Sequence, residues 1–128
     1  MKKAFIKIGL AAVLLPLSVS SLAMSIEPYT PENLLKRQKA GEVVSLSFFA
    51  KWCSTCLMQE KVFQSFKGDA SVPGTLLMVD YDQSRPIMKK LRVTAQSTLI
   101  VFKGSVEIHR SGGITDPQVL RAALQTAH

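Results

Sequence analysis

A chain of 128 residues holds one domain once any targeting segment is set aside. Its formal net charge of +7 comes from scattered Lys and Arg, with no dense basic block and no aromatic–basic interleaving, which argues against a nucleic-acid surface. Two cysteines and two histidines, His109 and His128, far apart in sequence and without ligand spacing, exclude a closed four-ligand zinc site.

Residues 1–23 read as a signal peptide and 24–128 as the mature domain. Lys2, Lys3 and Lys7 make a basic start, Ile8 to Leu17 is a short apolar run, and Ser21-Leu22-Ala23 puts small residues where a signal peptidase cleaves. The run is well short of the roughly 20 residues that cross a bilayer. The expectation is export to an oxidising compartment, the periplasm, as a soluble mature form.

Ser25 to Tyr29 reads as a mature leader. Thr30-Pro31-Glu32-Asn33 then starts a helix: Thr30 can cap it, Pro31 suits its first position and Glu32 meets the positive end of its dipole. Leu34 and Leu35 give it an apolar side and Gly41 ends it. Val43 to Phe49 is a run of apolar and β-branched residues suited to a strand buried on both faces. A second helix is predicted from near Cys53 to Phe66, with Cys56, Glu60, Phe63 and Phe66 on one stripe and Leu57, Met58 and Val62 widening it.

Pro73-Gly74 marks a turn and Thr75 to Val79 a second buried strand. Ser84 is expected to cap a short helix ending near Leu91. Thr98 to Phe102 and Val106 to Ser111 are strands joined by the tight Lys103-Gly104-Ser105 connection. In the latter, Val106 and Ile108 alternate with Glu107 and His109, which sends His109 to solvent. Asp116-Pro117 opens a closing helix with Val119, Leu120, Ala123 and Leu124 on its inner side. The order α-β-α-β-α-β-β-α implies an α/β fold: parallel crossovers followed by an antiparallel hairpin, in a mixed sheet of four to five strands with helices on both faces.

The chemistry concentrates in Cys53-Ser54-Thr55-Cys56, where the first long strand gives way to a helix. Residues i and i+3 on a first helical turn share one face, so two sulfurs there can bond or part with little backbone movement. Free amide N–H groups and the helix dipole favour a thiolate at that end. Cys53 is expected to be the exposed nucleophile and Cys56 the deeper, resolving thiol. An inert structural bridge is the competing reading, but closing so short a loop restricts the unfolded chain little.

Phe49-Ala50-Lys51-Trp52-Cys53-Ser54-Thr55-Cys56 resembles the F-x-A-x-W-C-x-x-C signature of the thioredoxin fold family. Val79-Asp80-Tyr81-Asp82-Gln83 is similar to its next strand end, and Thr98-Leu99-Ile100-Val101-Phe102-Lys103-Gly104 to its T-L-x-x-F-x-x-G run. The resemblance covers nearly all of the mature chain. It implies that Cys53 attacks a substrate disulfide, that Cys56 resolves the mixed disulfide, and that Trp52 and the backbone at Gln96–Ser97 border the substrate. With its export signal and Glu60, the chain looks most like periplasmic members, including the C-terminal domain of membrane thiol:disulfide interchange proteins, which carry a glutamate at the matching position. A membrane electron donor is therefore among the implied partners, beside disulfide-containing or dithiol proteins.

Three positions depart from the pattern. Ser97 stands where the family has a cis-proline, so a trans Gln96–Ser97 bond is expected. Ser47 stands where thioredoxins bury an aspartate, and Met78 where a lysine accompanies it. Glu60, one turn beyond Cys56, is then the candidate proton acceptor.

The resulting expectation is an exported thiol–disulfide oxidoreductase acting as a protein-disulfide reductase, with no cofactor because electrons pass by disulfide exchange. Ser54-Thr55 is the pair of neither reducing thioredoxins nor the strongly oxidising periplasmic enzymes, so an oxidase or isomerase running the other way remains a reading. A carrier binding Cu(I) through the same two sulfurs is another, since soft thiolates suit that ion and Ser97 leaves room beside them. A third is a binding module whose bridge stays closed.

Overall fold

The computed structural model describes residues 23–127, together with Ala4, Gly9 and residues 11–14. Most of the predicted signal peptide, and His128, lie outside the described residues. In chain order the elements are β1 (Ser25–Pro28), α1 (Pro31–Lys39), β2 (Val43–Phe49), α2 (Ser54–Phe66), β3 (Thr75–Asp80), α3 (Arg85–Leu91), β4 (Thr98–Lys103), β5 (Val106–Gly112) and α4 (Pro117–Leu124), with a short 3-10 turn at Gln125–Ala127.

The sheet runs β1-β3-β2-β4-β5. β1, β3 and β2 are parallel, whereas β4 runs antiparallel to β2 and β5 antiparallel to β4. The expected mixed α/β sheet is the one observed, with five strands. The period-2 pleat of β2, β3 and β4 divides the core in two. Val44, Leu46, Phe48, Leu77, Val79, Ile100 and Phe102 pack under Leu34 of α1 and Ile87 of α3. Leu76, Leu99 and Val101 pack on the other face under Phe63 and Phe66 of α2 and Leu120 and Leu124 of α4. Phe48 and Phe63 are fully buried, one in each half, and burial of such a side chain stabilises the fold by roughly 1.5–3 kcal/mol.

The helix starts follow the predicted chemistry in two of three cases. Thr30 accepts the Asn33 N–H at 3.0 Å, and Asp116 accepts the N–H groups of Gln118 and Val119 at 2.8 and 3.1 Å. Ser84 is the cap residue of α3, but its side chain makes no capping bond.

Other expectations are corrected. Ser25–Pro28, read as a leader, is an edge strand: it pairs in parallel with β3, and Ser25 Oγ meets Thr75 Oγ1 at 2.9 Å. A four-residue strand holding a glutamate and a proline has little local signal, so its partner creates it. In β5 the predicted faces do not hold. Val106 and Ile108 are exposed and His109 is half-buried, bonded to Ser111 Oγ. β5 is the sheet's edge, and a register shift opposite Val101 and Phe102 breaks its alternation. Val119 of α4 and Leu57 and Met58 of α2, all placed inside, are exposed. Among the described residues no helix is long and apolar enough to cross a membrane.

Candidate functional site

β2 carries the chain to the sheet's carboxyl end, where a turn at Lys51-Trp52 reverses it into α2. The Cys53 N–H closes that turn on Ala50 O at 3.1 Å. Cys53 is the N-cap of α2, with φ −95° and ψ 110°, and its Sγ accepts the Cys56 N–H at 3.1 Å. A sulfur here does what a serine or aspartate oxygen does at other caps: it satisfies a free amide of the first turn. The helix dipole adds to this, because its positive end favours negative charge on that sulfur.

Both cysteines are free thiols. Cys56 is 1% exposed, as the deeper member should be. Cys53, expected to be exposed, is only 6% exposed. The cap bond turns its sulfur inward, against the Ser97 side chain.

Ser97 joins the pair. Its Oγ lies 3.3 Å from Cys53 Sγ and 3.0 Å from Cys56 Sγ. Its backbone sits in the left-handed region at φ 63°, and the described chain holds no cis peptide bond, as expected for a serine at this position. The Ser97 N–H donates to Phe48 O at 2.8 Å, and Ser97 O accepts the Gly113 N–H at 3.1 Å. Cys56 Sγ also approaches Phe48 O, at 3.8 Å.

These contacts set the two thiols apart. Burial alone would raise the Cys53 pKa; hydrogen bonds from the Cys56 thiol, the Ser97 hydroxyl and the backbone N–H groups of Cys56 and Thr55 outweigh it and hold Cys53 below the usual thiol value. Burial is also the largest influence on Cys56, and with the proton it shares toward Cys53 it pushes that thiol up. The two sulfurs are thus shifted in opposite directions, Cys53 toward the thiolate and Cys56 toward the thiol.

Gln59, not Glu60, completes the buried stripe of α2 with Cys56, Phe63 and Phe66. Its Nε2 donates to Ser97 O at 3.2 Å and to Ile114 O at 2.8 Å, which ties α2 to the loop carrying Ser97 and to the segment after β5. The spacing could have found it, since Gln59 is three residues after Cys56 and four before Phe63. Glu60 is half-exposed on the neighbouring line of the helix. None of the hydrogen bonds made by either sulfur involves it.

Trp52 is 62% exposed. Its Nε1–H donates to Asp82 Oδ2 at 2.8 Å, and its ring meets Tyr81 edge-on at 6.5 Å. Tyr81 also packs against the cluster of Ala50, Cys53 and Cys56. Neither Tyr81 nor Asp82 was singled out for a role by the sequence. Gln96 is half-buried beside Ser97. Ser47 is buried and lies opposite Met78 across β2 and β3, so the two departures from the resemblance are neighbours. A cleft of about 370 Å³ opens next to the site between Phe49, Lys51, Asp80, Asp82 and Gln83, but neither cysteine lines it.

Among the described residues no group of three or more His, Cys, Asp or Glu gathers. The space that the carrier reading left beside the sulfurs is occupied by the Ser97 hydroxyl.

A family model described as Thioredoxin matches residues 27–126. The chain belongs to the thioredoxin family. Over 96 residues it is 37% identical to a thioredoxin of Chlamydia trachomatis, an alignment covering 74% of this chain and 91% of that one. The crystal structure of Trxlp from Edwardsiella tarda EIB202 superposes with a TM-score of 0.73 at 32% identity, covering 78% of this chain and 98% of that one. A 76-residue stretch is 30% identical to a peptide-N(4)-(N-acetyl-beta-glucosaminyl)asparagine amidase of Caenorhabditis elegans, of which the chain spans only 12%. The chain is thus a thioredoxin-family redox protein, and its Cys53–Cys56 pair stands at the family's C-x-x-C.

Proposed function

We propose that this protein is an exported protein-disulfide reductase, with Cys53 as attacking thiolate and Cys56 as resolving thiol. The observation that carries the reading is the inequality of the two sulfurs: Cys53 Sγ caps a helix and accepts an amide N–H, with its pKa lowered, while Cys56 lies deeper beside it with its pKa raised. An inert bridge has no use for that difference. Trp52, held by Asp82, and Gln96 flank the sulfurs and form the rim a partner protein's disulfide would meet.

Export rests on the basic start, the apolar run and Ser21-Leu22-Ala23. It also fits that the core starts at Met24, buried immediately after the proposed cleavage point. N-terminal sequencing of protein recovered from a periplasmic extract tests this, and an intact Met1 would reverse it.

Three measurements test the chemistry. The reduced protein should reduce insulin disulfides. The Cys56→Ala variant should accumulate mixed disulfides with partner proteins, including any membrane donor. The reduction potential against a glutathione buffer should lie on the thioredoxin side, about −270 mV; a value near about −120 mV would mark an oxidant instead.

A further inference from the structure

We infer that the Ser97 hydroxyl is a catalytic donor that follows the negative charge from Cys53 to Cys56 during exchange. This deepens the proposed reading and rests on it. Ser97 Oγ is within hydrogen-bond distance of both sulfurs, 3.3 and 3.0 Å, in a pocket where all three side chains are buried. A serine hydroxyl has one proton and two lone pairs, so it can donate to only one sulfur at a time while accepting from the other. Rotation about its Cα–Cβ and C–O bonds changes the choice without moving the backbone.

That backbone is pinned. Phe48 O, Gly113 N–H and Gln59 Nε2 hold the N–H and carbonyl of Ser97 on three sides. A serine held at φ 63° is a strained choice for a residue with a Cβ. The strain fixes the Cβ where its oxygen can reach both sulfurs.

In the reduced protein the hydroxyl donates to the Cys53 thiolate. Cys53 attacks one sulfur of a substrate disulfide; a new S–S bond forms, the substrate bond breaks, and the departing sulfur leaves with the electron pair and takes a proton from water. Cys53 in the mixed disulfide carries no charge, so the hydroxyl turns to Cys56. Cys56 gives its proton to water and attacks Cys53 Sγ. The second substrate sulfur departs with its electron pair and is protonated by water. The substrate gains two electrons, which the cysteine pair loses. With Ser47 where the buried carboxylate would be, a neutral hydroxyl is the polar group touching both sulfurs.

The ionisable groups on the bordering elements are Lys51 and Asp82 on the rim, Tyr81, whose hydroxyl donates away to Thr94 O, Glu60 and Lys61 on α2, and on β5 His109, bonded to Ser111 Oγ, and Arg110, paired with Glu107. All of them are retained in the test variants, Ser97→Gly and Ser97→Ala in the mature protein. Glycine relieves the backbone and alanine does not, while both delete the hydroxyl. Thiolate absorbance against pH should show the Cys53 midpoint about one unit higher in both, a tenfold smaller thiolate fraction below it. The mixed disulfide with oxidised glutathione should persist about threefold longer, because a more basic Cys56 regains part of its nucleophilicity. Wild-type midpoint and lifetime in Ser97→Gly would overturn the inference, as would a change confined to Ser97→Ala. A wild-type protein forming no mixed disulfide would instead sink the exchange reading, and the titration would still decide whether the hydroxyl supports the Cys53 charge.

Discussion

Trp52 is tethered to Asp82: the indole N–H donates to the carboxylate at 2.8 Å, so the residue before the first cysteine is fixed to the loop after β3. The bond spans 30 residues of sequence and sets the pose of the largest exposed ring at the site. Trp52 is the chain's one tryptophan, so tryptophan fluorescence reports this ring alone. In Asp82→Ala the emission anisotropy should fall as the ring gains freedom. Global stability should change by less than about 0.5–1 kcal/mol, as for an exposed hydrogen bond. Unchanged anisotropy would mean that the Tyr81 contact alone holds the ring.

Two adjacent residues of α2 should behave differently. Gln59→Leu leaves the carbonyl of Ile114 without its side-chain donor and removes one of two donors to Ser97 O, and should cost about 1–3 kcal/mol in urea unfolding. Glu60→Gln, on the half-exposed line, should stay within about 0.5 kcal/mol of the parent. Equal costs would mean that the amide is not the tie between α2 and the Ser97 loop.

Restoring the family's proline at position 97 should harm this protein. The Ser97 N–H donates to Phe48 O at 2.8 Å, and a proline has no N–H and needs φ near −65° where the chain holds 63°. Ser97→Pro should therefore lose at least about 2 kcal/mol of stability, from the orphaned carbonyl and the forced backbone. A proline variant as stable as the parent would show that the loop has a second conformation of equal energy.

Acid should release one identifiable tie. Asp69 accepts from Ser71 and from Arg121, and these bonds lower its pKa from the ordinary 3.8 to about 2. A carboxyl depressed by folding adds stability that is present above its unfolded pKa and fades as pH falls through the folded one. The melting temperature of Asp69→Asn should therefore lie below that of the parent at neutral pH, and the gap should close between about pH 4 and pH 2. A gap that persists at pH 2 would assign the effect to something other than this charge.

The sequence by itself determined the sheet's three central strands, all four helices and the two sulfurs, because each has a local cause. β2, β3 and β4 are runs of apolar residues long enough to be buried on both faces, Thr30 and Asp116 cap without help from afar, and a C-x-x-C after a strand places its own cysteines on one helical turn. Only the tertiary structure decided the rest. β1 exists because β3 offers an edge, and β5, the strand at the opposite edge of the sheet, turns Val106 and Ile108 to solvent. Glu60 and Gln59 are one residue apart, and which faces inward depends on how α2 rolls against the sheet. Ser97 lies 41 residues from Cys56 in sequence and 3.0 Å from it in space. No local pattern encodes that approach, because the fold's crossover, not the spacing, brings a hydroxyl between the sulfurs.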